Sequence, residues 1–158
     1  MTTITEAYGA KFDGTTATPS EIETLKRKFS TIGFPVWLEK MISEHRICGT
    51  YFSLSEEHDL SKMEVIMIWL SPSFMLEEAF EAYPGITAVR LGFLPIGECA
   101  QGTGDPYFLD LRNPNDDDPP LVRIVHEFGD AEDALFLSEG VELVAHHLSD
   151  FFRDAVVL

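Results

Sequence analysis

Apolar positions in the N-terminal third of the chain recur every three or four residues, and this spacing predicts two short helices. Residues 18–21 read Thr-Pro-Ser-Glu, in which a capping threonine, a proline at the first helical position and a glutamate form a capping box. The apolar stripe that follows ends at Gly33, and a second stripe starts near Pro35. The pattern therefore predicts a helical hairpin over residues 19–47.

After Gly49 the apolar period changes to that of β-strands. The run 63–70 is almost continuously apolar, which is typical of a strand inside a sheet. Ser71 opens a short helical segment that Pro84 closes, and residues 113–120 form a Pro- and Asp-rich surface loop. The predicted strands are residues 50–54, 63–70, 93–99, 107–111 and 121–128, with 134–137 as a candidate for one more.

The C-terminal segment returns to helical spacing. Val141, Val144, Leu148 and Phe152 lie on one apolar stripe, which predicts a helix over residues 139–155. Helices at both ends of a run of consecutive strands predict an α+β fold. We expect an N-terminal helical hairpin and a C-terminal helix packed on a largely antiparallel mixed sheet.

The length and the absence of a long linker indicate how the chain is organised. A chain of 158 residues is long enough to bury one full core. Residues 1–18 lack any period and are expected to form a loose arm, followed by a single domain over 19–158. The expected core consists of Ile22, Leu25, Phe29, Leu38, Ile66, Ile68, Ile96, Leu109, Ile124, Val144, Leu148 and Phe152.

The acidic residues are unevenly distributed along the chain. The formal net charge is −16, and residues 48–158 carry all of it, while residues 1–47 are neutral. This charge argues against nucleic-acid binding and against docking on anionic lipid, because both need a basic face. It favours a basic protein partner. The sequence leaves the oligomeric state open.

The cysteines and the N-terminus favour a cytoplasmic setting. Cys48 and Cys99 are too few for a disulfide framework and are expected to be small buried side chains. The first residues lack the charged start and apolar run of a signal peptide. The apolar run 65–70 is far shorter than the ~20 residues that span a bilayer.

Short motifs with a known chemical mechanism are absent from the sequence, which has no GxSxG, no GxxxxGK[ST] and no HExxH. Asp116 and Asp118 stand at the spacing of a calcium loop, but Pro120 occupies a ligand position, so no metal site is predicted. His126 could act as a general base only if a partner side chain converged on it. No catalytic, cofactor-binding or metal-binding residue is therefore assigned.

Three segments form a pattern that a known family shares. Residues 32–38 read Ile-Gly-Phe-Pro-Val-Trp-Leu, a glycine and an apolar-proline step between two predicted helices. Residues 93–97 read Phe-Leu-Pro-Ile-Gly, and residues 104–110 read Gly-Asp-Pro-Tyr-Phe-Leu-Asp, a Gly-Asp turn before a strand. With the predicted last strand and closing helix, these segments resemble the SUKH superfamily, the Smi/Knr-type domains, over residues 19–155.

The resemblance implies a non-enzymatic α+β protein-binding domain that needs no cofactor. Many bacterial members of the family are similar to immunity proteins, which bind and neutralise a cognate toxin, often a nuclease, in the cytoplasm. The implied partner is a basic protein such as a toxin domain. Segments 71–83 and 113–120 have no counterpart in the family pattern. A regulatory scaffold, or a small enzyme that uses His126, stays open as an alternative.

The resemblance also implies roles for individual residues. Gly104 permits a turn, and Asp105 accepts backbone N–H bonds within that turn. Trp37, Phe93 and Tyr107 are expected in the core rather than at an interface. The acids expected to face a partner are Asp116, Asp117, Asp118, Asp130, Glu132 and Asp133.

Overall fold

The computed structural model describes Tyr8 and residues 11–101, 104–126 and 139–158. In these parts two helices precede the first strand, two more helices separate the second strand from the third, and the C-terminal strand joins the same sheet as the others. The elements in chain order are α1 (Pro19–Lys28), α2 (Val36–Glu44), β1 (Tyr51–Leu54), β2 (Val65–Trp69), α3 (Pro72–Phe80), α4 (Gly85–Arg90), β3 (Phe93–Cys99), β4 (Tyr107–Asp110), β5 (Leu121–Ile124), β6 (Val141–Ala145), α5 (Leu148–Asp154) and β7 (Val156–Val157).

The N-terminal helical hairpin is confirmed. The Thr18 hydroxyl oxygen accepts the Glu21 backbone N–H at 3.2 Å, and a Glu21 carboxylate oxygen accepts the Thr18 N–H at 2.9 Å, so the capping box is complete. Helix α1 ends at Lys28, and Gly33 turns the chain with φ of 83°, a left-handed conformation that favours glycine. Helix α2 then begins directly after Pro35.

The seven strands form one sheet in the order β6-β5-β4-β3-β2-β1-β7. Every one of these neighbouring pairs is antiparallel. The Leu60 N–H, in the connection between β1 and β2, binds the Val144 carbonyl oxygen of β6 at 3.0 Å. The sheet therefore curls, because this contact joins β6 to the β1–β2 connection although β3, β4 and β5 lie between them in the strand order. The α+β fold is confirmed, and the expected mixed sheet is antiparallel throughout its described strands.

The face of strand β2 that packs on the core is the opposite of the one that the sequence predicted. Val65, Met67 and Trp69 are buried, whereas Ile66 and Ile68 are half-buried, so the prediction of these two isoleucines as core residues is wrong. A continuous apolar run does not show which of its two alternating sets faces the core. The other predicted core residues are buried: Ile22, Leu25, Phe29, Leu38, Ile96, Leu109, Ile124, Val144, Leu148 and Phe152.

The C-terminal segment differs from the predicted helix over 139–155. Residues 141–145 are strand β6, paired with β5, and the helix α5 spans only Leu148–Asp154. The apolar residues of 141–145 fit a helical stripe, but Val141 and Leu143 also alternate with Glu142 and Val144 as a strand requires. Pairing with β5 decides between the two, since tertiary contacts override local periodicity.

Residues 11–18 pack onto the domain, in contrast to the expected loose arm over 1–18. Phe12 is buried, and its ring contacts Phe52 and Phe152 with centroids 5.7 Å apart in each case. The Ala17 N–H binds the Ile42 carbonyl oxygen at 2.7 Å. An aromatic side chain therefore fixes a stretch that lacks any period. Residues 1–7 and 9–10 lie outside the described residues.

The segment after β2 forms two helices instead of the predicted one. Helix α3 is followed by α4, which begins at Gly85. A Cβ atom on Gly85 would lie 1.7 Å from the Glu78 carbonyl oxygen, so the two helices approach each other more closely than any other residue would allow. The candidate strand at 134–137 and the end of the strand predicted over 121–128 lie outside the described residues.

The two cysteines differ in burial. Cys48 is buried, and burial raises the pKa of its thiol to about 11, so it is protonated and unreactive at neutral pH. Cys99 is half-buried, and no disulfide joins the two residues. The expectation of two buried cysteines is confirmed for Cys48 alone.

Candidate protein-binding groove

A groove of about 380 Å³ lies between the turn that joins α1 to α2 and the loop that joins β4 to β5. One wall is residues 32–37, and the other is Leu111 with residues 113–117. The first segment carries part of the family pattern in the sequence, and the second carries acids that were expected to face a partner. The fold brings them together on opposite sides of one depression.

The wall formed by residues 32–37 is apolar and firmly supported. The Phe34 ring stacks on the buried Phe29 ring with centroids 6.1 Å apart, and Phe29 also contacts Phe80 at 5.3 Å. Trp37 is half-buried, and Val36, in the first turn of α2, is 65 % exposed. An aliphatic side chain exposed beside two aromatic rings is a surface that a protein partner could cover.

The opposite wall is an acidic loop that its own side chains hold in shape. The Asn113 side-chain oxygen accepts the Asn115 N–H at 3.1 Å, and Asp116 Oδ1 accepts the Asp118 N–H at 2.9 Å. Such Asx turns fix a loop without a regular element. Asp116 is half-buried, and Asp117 is exposed. In the described parts of the chain, no hydrogen bond or ion pair engages the Asp117 carboxylate.

Asp118 is turned away from the groove and holds α5. Its Oδ1 accepts the Ser149 N–H at 2.9 Å, and its Oδ2 accepts the Ser149 hydroxyl. The Pro119 carbonyl oxygen accepts the Leu148 N–H at 2.8 Å, so the loop satisfies two donors of the first turn of α5. His147 Nδ1 lies 3.1 Å from the Asp118 carbonyl oxygen, and this hydrogen bond raises the pKa of His147.

Removing the Asp118 carboxylate should therefore weaken the fold, whereas removing that of Asp117 should not. We expect Asp118→Ala to lower the free energy of unfolding by about 1–2 kcal/mol, the usual cost of a lost helix cap. The matched variant Asp117→Ala should stay within about 0.5 kcal/mol of wild type, as exposed substitutions do. Urea denaturation measures both, and equal stabilities of the two variants would refute the capping role.

Of the six acids expected to face a partner, the structure places two on the groove, Asp116 and Asp117. Asp118 is used internally. Asp130, Glu132 and Asp133 lie outside the described residues. The sequence interpretation also placed Trp37 in the core with Phe93 and Tyr107. Phe93 and Tyr107 are indeed buried, but Trp37 lines the groove.

A second polar cluster lies inside the sheet. Arg123 is only 5 % exposed and Asp59 is fully buried, with Nη1 and Oδ2 4.0 Å apart. The other guanidinium nitrogen, Nη2, donates to the Ser61 hydroxyl at 3.0 Å and to Glu142. Burial alone would lower the pKa of Arg123, but its hydrogen bonds to Glu142 and Tyr107 raise it above the usual value.

This cluster is a structural connection rather than a ligand site. Ser61 and Asp59 belong to the connection between β1 and β2, whereas Arg123 and Glu142 belong to β5 and β6. A cavity of about 280 Å³ beside the cluster is lined by Arg123 and by the carboxylates of Glu64, Asp105 and Glu142. The guanidinium is already occupied by the protein's own carboxylates, so it holds the curled sheet together.

His126 does have a carboxylate beside it. Its Nδ1 lies 2.6 Å from Asp105 Oδ1, and the same oxygen accepts the His126 backbone N–H at 3.0 Å. Asp105 therefore hydrogen-bonds to His126, which follows β5, whereas the resemblance implied hydrogen bonds within the turn at 104–105. The His126 side chain is 55 % exposed, so it lies on the surface rather than in the apolar pocket that would favour a general base.

Comparison with protein-family models, with curated proteins and with solved structures found no match for this chain. The SUKH resemblance therefore stays a prediction based on short sequence segments, and the first half of the closing helix that formed part of it is strand β6. Within residues 11–101, 104–126 and 139–158, no group of three or more His, Cys, Asp or Glu side chains could hold a metal ion. None of the helices in those ranges is both long enough and apolar enough to cross a membrane.

Proposed function

We propose that the protein is a non-enzymatic binding domain for a basic protein, and that it acts as an immunity-type protein against a nuclease-like toxin in the cytoplasm. The observation that carries this proposal is the groove itself. An apolar wall with an exposed valine faces an acidic loop, and the groove between them has a volume of about 380 Å³. Apolar contact supplies affinity, and the carboxylates select a partner of opposite charge.

The charge of the whole chain supports the same partner. At −16, the protein attracts a basic surface over distances well beyond direct contact. A nuclease has a basic cleft that binds the phosphate backbone of its nucleic-acid substrate. An acidic binder therefore competes with the nucleic acid for the same basic side chains. Steering of this kind mainly accelerates association.

The family resemblance supports the finer proposal of an immunity-type role. Residues 32–37, which carry the first part of the SUKH pattern, form the apolar wall of the groove. A regulatory scaffold would use the same groove for a different basic partner. A small enzyme that uses His126 is the second candidate, and the short contact between His126 and Asp105 is the observation that favours it.

Affinity capture with variant baits tests the proposal. Wild-type protein, Asp117→Lys and the matched control Glu57→Lys would each be immobilised and exposed to cytosol of the source cell. Glu57 is exposed in the connection between β1 and β2 and does not line the groove. We expect a basic protein on wild type and on Glu57→Lys, released near 0.5 M salt and lost with Asp117→Lys. Absence of a basic partner, or equal capture by both variants, would contradict the proposal.

A further inference from the structure

One wall of the groove is apolar and the other is acidic. The wall at 32–37 offers Phe34 and Trp37, and the wall at 113–117 offers Asp116 and Asp117. A segment lying between them therefore meets apolar surface on one side and carboxylate on the other. In an extended chain, successive side chains point to opposite sides. Alternating apolar and basic residues would thus satisfy both walls at once.

An extended segment suits two facing walls better than a helix does. An α-helix with its side chains is about 10 Å wide, and it needs several residues of a turn to present side chains to both sides. An extended chain is slimmer and presents side chains to both walls with every two residues.

The charge argues against two other occupants. A second copy of this chain would bring another −16 to an acidic wall, and like charges across an interface are unfavourable. A phosphate-bearing ligand meets the same repulsion from Asp116 and Asp117. A basic segment of another protein is the occupant that complements both walls.

We propose that the groove binds a short extended segment of the partner in which apolar and basic residues alternate. The apolar side chains pack on Phe34 and Trp37, and a Lys or Arg side chain pairs with Asp117. This inference rests on the proposed function and specifies the part of the partner that enters the groove.

The two tryptophans of the chain provide the test. Trp37 lines the groove, whereas Trp69 is fully buried in β2, so the second indole N–H signal is an internal control. ¹⁵N-labelled protein would be titrated with the capped peptides Val-Lys-Val-Lys, Val-Val-Lys-Lys and Val-Glu-Val-Glu. The first two share their composition and charge and differ only in order.

We expect the alternating basic peptide to shift the Trp37 indole signal at millimolar concentration and to leave that of Trp69 in place. The non-alternating basic peptide, Val-Val-Lys-Lys, should bind about two- to fivefold more weakly than Val-Lys-Val-Lys, because it loses about one exposed ion pair. The acidic peptide should not bind. Asp117→Asn should weaken the alternating peptide by a similar factor, and Glu57→Gln should not.

Equal shifts with both basic peptides, or no shift of Trp37 with any peptide, would overturn the inference. The proposed function would survive that result if a basic partner were still captured by wild type and lost with Asp117→Lys. Absence of any such partner would instead remove the proposed function, even if the peptide bound.

Discussion

Replacing Arg123 by Met is expected to lower the free energy of unfolding by about 3–5 kcal/mol, the largest effect among these predictions. The guanidinium is the positive charge beside Asp59, a carboxylate with no exposed surface. Without it, Asp59 is left as an uncompensated buried charge, and the connection between β1 and β2 loses its polar contact with β5. Urea denaturation of the variant and of wild type measures the loss.

Two further variants show whether the buried charge is the cause. Asn at position 59 keeps the side-chain oxygen that accepts the Ser61 N–H and hydroxyl, but it carries no charge. We expect Asp59→Asn combined with Arg123→Met to be more stable than Arg123→Met alone. Glu142→Gln should cost less than about 1 kcal/mol, because the Glu142 side chain is 37 % exposed to solvent. A loss below 1 kcal/mol for Arg123→Met would refute the structural role.

The second large effect concerns Glu78 and depends on pH. This carboxyl group is half-buried in α3, and burial, followed by the charges of Glu98 and Glu77, raises its pKa from 4.5 to about 7. Between these two values the folded protein keeps a proton that the unfolded chain has lost. The contribution of Glu78 to stability is therefore lost as the pH rises through this window.

Glu78→Gln removes that titration and should stabilise the protein above pH 7. Solvent screens a group of this exposure, so we expect a gain of about 1–2 kcal/mol at pH 8 and no gain at pH 4. Glu57→Gln, on an exposed side chain whose charge is not among those that raise the pKa of Glu78, serves as the control and should change little at either pH. Thermal unfolding across this range would contradict the account if Glu78→Gln were no more stable than wild type at pH 8.

The N-terminal hairpin could be predicted because its signals are local. A capping box at Thr18 and a turn at Gly33 act within a few residues, and the structure has both. The register of β2 could not be predicted, because Ile66 and Val65 are equally apolar and the choice depends on neighbouring strands. The same holds for 141–145, where a helical stripe and a strand alternation coincide and pairing with β5 decides.

The two walls of the groove could be recognised in the sequence, but their position side by side could not. The acids of the loop could be predicted to be at the surface, and residues 32–37 could be recognised as a pattern. Their proximity depends on the position of β4 in the sheet relative to α2, which no local signal specifies. The different roles of Asp117 and Asp118 follow from the contact with Ser149, on an element far along the chain.

The central claim, that the groove recruits a basic protein, is tested most directly by stopped-flow association kinetics with the captured partner. The variant pair Asp116→Asn, Asp117→Asn would be compared with Glu56→Gln, Glu57→Gln, which removes the same charge from an exposed connection elsewhere. We predict that the groove pair lowers the association rate by up to ~10-fold at low salt, clearly more than the control pair, with dissociation nearly unchanged. The difference should vanish near 0.5 M salt, where the Debye length is about 4 Å. Equal effects of the two pairs, or rates that neither pair alters at any salt, would contradict the claim.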